Sequence, residues 1–390
     1  MHKILLNHNR NALIYRMEIG PVESLADLRD LYGVTTVVVG AALIAGALFG
    51  WLAERSDYCA RSALDELWPR AGGTGSRAPN QLWQLTVAAL VAMAGVWLAT
   101  RLDLFALDGT GLDAPPLLLV GLFGGSLLFG AGMALSRGCI SRLLVLSARG
   151  NSRAAITLVF TALFAWASIS GVLGAPRLFL SGLVRFEHSP KLSALLISGW
   201  ITSLGVMLVI AWRRGGPDQL LRRTVMAALI GLLVPTCLFI TAGLGADDFE
   251  PVPVEGLRFT GPLVDTFNYA VYSTAFTIKF GVAIVVGTLI GAAISAATAG
   301  RIKIEGFNQA PHPLRYILGA ALMGFGGVLA GGCTAGWLLT GGGLLHSGVL
   351  IAFTGFALGN FSVRLLRFNR LLSAGTAPPP SVTRVLSRRV

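Results

Sequence analysis

Apolar runs about as long as a bilayer is thick recur along this chain. Roughly 20 apolar residues are needed to cross the hydrocarbon core, and the runs at 33–53 and 224–244 meet that length. Hydropathy marks nine such stretches, at 33–53, 80–100, 116–135, 153–174, 192–212, 224–244, 276–297, 313–330 and 345–363. Hydrophobic residues make up 54% of the 390 positions, charged residues 13%, and the mean hydropathy is +0.69, a balance that excludes an ordinary soluble domain. Backbone inside lipid must satisfy its own hydrogen bonds. The expected fold class is therefore an all-α polytopic membrane protein with about nine transmembrane helices.

A net charge of +12 invites a nucleic-acid reading, but the arginines fall in short clusters between apolar runs, the pattern of positive-inside topology. No nucleic-acid partner is expected. Arg55, Arg61, Arg70 and Arg77 follow the first span, and Asp103, Asp108 and Asp113 follow the second. The alternation continues with Arg137, Arg142, Arg149 and Arg153, then Arg213, Arg214, Arg222 and Arg223, then Arg301, Lys303 and Arg315 on the basic side, against Asp247, Asp248, Glu250, Glu255 and Asp265 on the other. Assigning the basic side to the cytoplasm puts the N-terminus outside and the C-terminus inside, in a bacterial inner membrane. The chain then divides into an N-terminal segment 1–32, interfacial or disordered, a transmembrane domain 33–366, and a basic cytoplasmic tail 367–390. Positions 1–30 lack the apolar core and small-residue cleavage site of a signal peptide.

Glycines cluster at 121–138 and 319–343, where small residues let helices approach closely. These regions repeat one another. Residues 130–139 align without gaps on 324–333, with three glycines, a leucine and the cysteine in common, and the wider repeat motifs cover 121–150 and 319–345. The spans that lead into Cys139 and Cys333 run in opposite directions, which is the mark of an inverted repeat. A weaker echo, Gly40, Gly46 and Gly50 against Gly281, Gly287 and Gly291, joins helices of the same direction and reads as coincidence or as an error in the topology.

After each Gly-Cys pair comes an apolar stretch too short to cross, 140–147 and 334–339. Re-entrant half-helices are the natural reading, because irregular backbone at membrane depth survives only against protein or a water-filled cavity. Helix amides opening just past the cysteine attract anions without a full charge. The candidate substrate-binding residues are therefore Cys139, Cys333, Gly138, Gly332, Thr334 and Arg137, with Cys59 added from the polar stretch after the first span. Against this stands the bland reading of cysteine as a small buried packing residue, which the repeated setting weakens for Cys139 and Cys333. Cys237, mid-span behind Pro235, reads as packing. Lys279, placed inside the seventh span, attracts anions or snorkels outward, and His346 reads as an interfacial or helix-capping residue. Four cysteines with no CxxC spacing suggest neither a metal nor a disulfide scaffold, and no cofactor-binding motif such as GxxxxGK[ST] occurs.

At these glycine–cysteine motifs the chain resembles the YeeE/YedE family of membrane proteins linked to thiosulfate uptake. Residues 314–333 look like the family's second cysteine motif and 129–139 like its first. The resemblance implies an hourglass-shaped helical protein, not an enzyme, whose pore cysteines pass a sulfur anion along by thiol hydrogen bonds. Cys139 and Cys333 would carry that role here, with Cys59 as an accessory contact. The family's remaining pore cysteine has no counterpart in a matching motif. The thiol is a weak donor, suited to a dianion that must be held and then released. Its partners would be the bilayer, the small anion and a soluble cytoplasmic sulfur-transfer protein. Two other readings stay open: a membrane-embedded thiol enzyme that forms a persulfide, and a carrier of another sulfur or selenium species.

Overall fold

In the computed structural model the protein is described over residues 33–67, 81–105, 117–182, 185–186, 190–214, 220–246, 252–306 and 313–373. Segment 1–32, most of the tail, and the charges at Arg70, Arg77, Asp108, Asp113, Asp247, Asp248 and Glu250 lie outside them. The expected spans all appear as helices. They are α1 (Val34–Ser56), α3 (Gln81–Arg101), α4 (Leu119–Ser136), α6 (Ser152–Ser170), α8 (Pro190–Arg214), α9 (Leu220–Leu238, continued as a π-helical turn over Phe239–Leu244), α11 (Phe280–Thr298), α12 (Pro313–Leu329) and α14 (Val349–Ser373). Among the described residues, eight helices are long and apolar enough to cross a membrane. The ninth, α12, has 17 residues, about 25 Å at 1.5 Å per residue.

Between the spans lie shorter helices. Two of them, α5 (Ile140–Ala148) and the π-helical α13 (Gly336–Gly341), occupy the stretches expected to be re-entrant. Three more, α2 (Ala60–Glu66), α7 (Gly174–Gly182) and α10 (Thr260–Val271), were not foreseen, since runs of 7 to 12 residues leave little hydropathy signal. A two-residue ladder pairs Leu117–Leu118 with Arg185–Phe186. The seventh span starts later than its hydropathy suggested. Lys279 is the exposed residue preceding α11 rather than a charge inside it. His346 stands before α14, and its Nδ1 accepts the Gly348 N–H at 3.0 Å, a capping contact.

Glycines set the helix contacts and, with them, the helix directions. Gly46 lies on the Ile284 carbonyl and Gly50 on that of Thr288, while Gly287 and Gly291 lie on those of Leu43 and Ala47. Both numbers rise together, so α1 and α11 run parallel, pressed backbone to backbone. The glycine echo between these helices is therefore an interface seen from both sides, not a coincidence. Gly130, Gly355 and Gly359 do the same for α4 and α14. Gly132 against Gly319 and Gly125 against Gly326 make α4 and α12 antiparallel. Trp83 bonded to Thr224 and Gly95 seated on Pro235 make α3 and α9 parallel. Each direction agrees with strict alternation of nine crossings.

These contacts resolve an inverted repeat larger than the two cysteine motifs. Each half is two units of helix, short helix and helix: α1–α2–α3 and α4–α5–α6, then α9–α10–α11 and α12–α13–α14. Exchanging each element with its counterpart maps the α1–α11 contact onto α9–α3, α4–α14 onto α12–α6, and α2–α14 onto α10–α6. Among the described helices, only α7 and α8 fall outside the repeat, as the connector. α8 packs on α3 and α14 and is the least buried of the eight long spans.

Candidate functional site

Three chain reversals share one backbone design. Two residues before each cysteine the backbone turns left-handed, at Asp57 (φ 55°), Arg137 (φ 61°) and Gly331 (φ 73°). The next residue reaches back in two of them, Tyr58 N–H to the Ala53 carbonyl at 3.1 Å and Gly138 N–H to that of Met133 at 3.2 Å. This is the six-to-one bond that closes a helix C-terminus. The cysteine then opens the following short helix: the carbonyls of Cys59, Cys139 and Cys333 accept from Ala63, Leu143 and Trp337 at 3.1, 2.9 and 2.9 Å. Cys59 is thus a third member of the repeated motif. Its fourth counterpart, at the start of α10, is Phe259, which is fully buried with its ring 5.0 Å from that of Phe49.

The turns enter from opposite faces and bring the cysteines together. Cys59 and Cys139 lie within interaction range of one another, and Tyr58 lies within electrostatic reach of Cys59, Cys139 and Cys333. All three thiols are buried, at 6%, 0% and 2% exposure, and none is in a disulfide. Cys139 Sγ lies 3.3 Å from Ser141 Oγ, and the Gly336 N–H donates to Cys333 Sγ at 3.5 Å. The Cys59 N–H donates to Gln81 Oε1 at 3.1 Å, while Glu66 accepts the Gln81 and Leu82 amides and so ties α2 to the start of α3. Thr334 is buried beside Cys333. A methyl at Gly138 would press on Leu143 and one at Gly332 on Trp337, so both glycines keep their turns tight.

Two cavities flank this cluster from opposite ends of α12. The larger, about 490 Å³, is lined by Arg177, Glu255, Arg258, Trp337 and His346 and reaches Gly331, Gly332 and Gly336 around Cys333. Arg258 pairs with Glu255 at 2.6 Å and remains 41% exposed. The smaller, about 160 Å³, is lined by Arg137, Arg153, Asn151 and Tyr316. Arg137 therefore faces this cavity from an exposed position rather than joining the thiols. Tyr58, Gln81, Arg258 and Trp337 went unsingled in the sequence. Arg258 precedes Phe259 as Tyr58 precedes Cys59, a correspondence visible only once the repeat is known.

On the arginine-rich face a buried carboxylate knots the structure. Glu54, at 0% exposure, accepts from Arg301 and from Ser295 Oγ, each at 2.7 Å, and Arg149 stands 3.9 Å away. Asp57 pairs with Arg142 at 3.0 Å and lies 3.8 Å from Arg149. The left-handed turn before Cys59 is thereby tied to α5, α11 and the segment after α5. Cys237 lies apart from this, fully buried in α9, its carbonyl accepting from Thr241 at 3.0 Å.

Known proteins are similar to this chain in sequence. The chain is 28% identical over 359 residues to a protein of Spirochaeta thermophila named thiosulfate transporter TsuA, an alignment covering 85% of this chain and 100% of that one. It is 25% identical over 326 residues to a protein of the same name from Escherichia coli K12, covering 75% of this chain and 84% of the other. Residues 55–362, holding all four cysteines, match the family model described as sulphur transport. The chain is a multi-pass membrane protein of the sulphur transport family, the YeeE/YedE proteins its glycine–cysteine motifs resemble.

Proposed function

We propose that this protein is a carrier for thiosulfate in the bacterial cytoplasmic membrane, importing it with the C-terminus and the arginine-rich face inside. The observation that carries the reading is the burial of three thiols, from turns that enter from opposite faces, between two cavities. The relatives named as thiosulfate transporters support the choice of substrate. A dianion leaving water needs donors, yet strong arginine pairs would trap it. Thiols are weak donors and release it again. Arg258 and Arg177 gather anions in the larger cavity, Cys333 receives them there, and Cys59 and Cys139 pass them on. The peptide dipoles at the start of α5 add favourable potential at Cys139. A soluble sulfur-transfer protein on the cytoplasmic side would consume the imported anion.

Growth on thiosulfate as sole sulfur source, in a host lacking its own importers, tests this. Wild type should grow, and Cys139→Ala and Cys333→Ala should each lower uptake by at least tenfold at equal expression. Undiminished growth of both variants would sink the thiol relay. Purified protein in liposomes should import labelled thiosulfate, with sulfate and sulfite as weaker competitors. Cys237→Ala should keep uptake within about twofold of wild type while costing about 1 kcal/mol of stability, the loss expected for one small buried group. A tenfold uptake defect there would place Cys237 in the pathway.

A further inference from the structure

One of the buried polar groups left without a partner among the described residues belongs to Tyr58. Its side chain is 3% exposed, and its hydroxyl has no hydrogen-bond partner among the described residues. Leaving a buried hydroxyl unsatisfied costs about 1–3 kcal/mol, and phenylalanine would fill the same space without that cost. The surroundings give the hydroxyl a use. Tyr58 precedes Cys59 in the first turn and lies within electrostatic range of Cys139 and Cys333 as well, next to the turns from both faces. The equivalent positions in the other two cysteine turns are Gly138 and Gly332. Of the three turns, one alone places a ring at the junction.

We propose that the Tyr58 hydroxyl is a substrate-binding donor, a neutral hydrogen bond offered to the anion as it passes between Cys333 and the Cys59–Cys139 pair. The inference rests on the thiol relay above. A phenol suits the task for the same reason as a thiol. It donates without carrying charge, and it can turn toward an oxygen of the anion while the thiols meet the rest. The anion would supply the partner that the surrounding side chains do not.

Tyr58→Phe removes one oxygen and keeps the ring. In liposomes the half-saturating thiosulfate concentration should rise about tenfold or more, the loss of one hydrogen bond to a charged group. The melting temperature of the substrate-free protein should stay the same or rise, and the upward shift produced by added thiosulfate should shrink. A purely structural tyrosine would leave the half-saturating concentration unchanged and lower the melting temperature. Uptake and melting temperature falling together would assign Tyr58 to packing and overturn the inference. Wild-type uptake by Tyr58→Phe, with Cys139→Ala and Cys333→Ala inactive, would also overturn it and leave the relay standing. Wild-type uptake by all three would remove the relay and this inference together.

Discussion

Glu54→Gln should lower stability by about 2–3 kcal/mol, among the largest effects available to any single side chain here. Breaking a fully buried ion pair costs about 3–5 kcal/mol, because the remaining charge has lost its partner and water cannot reach it. Here the carboxylate is at 0% exposure, but Arg301 and Arg149 keep 32% and 25%, so water relieves part of the cost. Glutamine matches the shape but brings an amide donor against two guanidinium groups, which are donors only. The expected result in detergent is a clearly lower melting midpoint and less monodisperse protein. The double variant Glu54→Gln, Arg301→Gln should recover part of the loss, because it removes the stranded cation. A single variant that melts like wild type would show that the cluster adds nothing to stability.

Gly291→Val should be more damaging still, preventing recovery of folded protein. A Cβ at Gly291 meets the Ala47 backbone carbonyl, with no flexible side chain in the way to yield. Gly287 and Gly50 face the same interface, so the two helices would have to separate along its length, losing packing that membrane helices depend on. Gly40→Ala, on the same helix as Gly50 but with open space around its Cβ, is the matched control. It should express and melt like wild type, since alanine in a helix is if anything preferred to glycine. Equal yields of Gly291→Val and Gly40→Ala would contradict the close contact.

Most of the scaffold is legible in the sequence because lipid imposes it. Apolar length marks all nine crossings, and charge sorting fixes their alternation, which the glycine contacts reproduce. What escapes notice escapes for identifiable reasons. Cys59 belongs to the same turn as Cys139 and Cys333, yet Asp57 takes the left-handed position and Tyr58 the place of a glycine, so no Gly-Cys signature survives. Glu54 reads as one more charge in a polar loop, since its partners Ser295 and Arg301 are 241 and 247 positions away. The short helices α2 and α10 carry too few apolar residues to register. Arg137 is conspicuous beside Cys139 in sequence, but it is exposed and lines the smaller cavity.

The connector α8 contributes little to the core, yet the direction of the second half depends on it. Each half of the repeat crosses the membrane four times, by α1, α3, α4 and α6 and then by α9, α11, α12 and α14. Four is even, so two such halves joined directly would start on the same face and stand side by side, with every cysteine turn entering from one face. One extra crossing makes the count odd and sets the second half upside down. A poorly buried span is therefore what turns a duplicated pocket into a path with two ends.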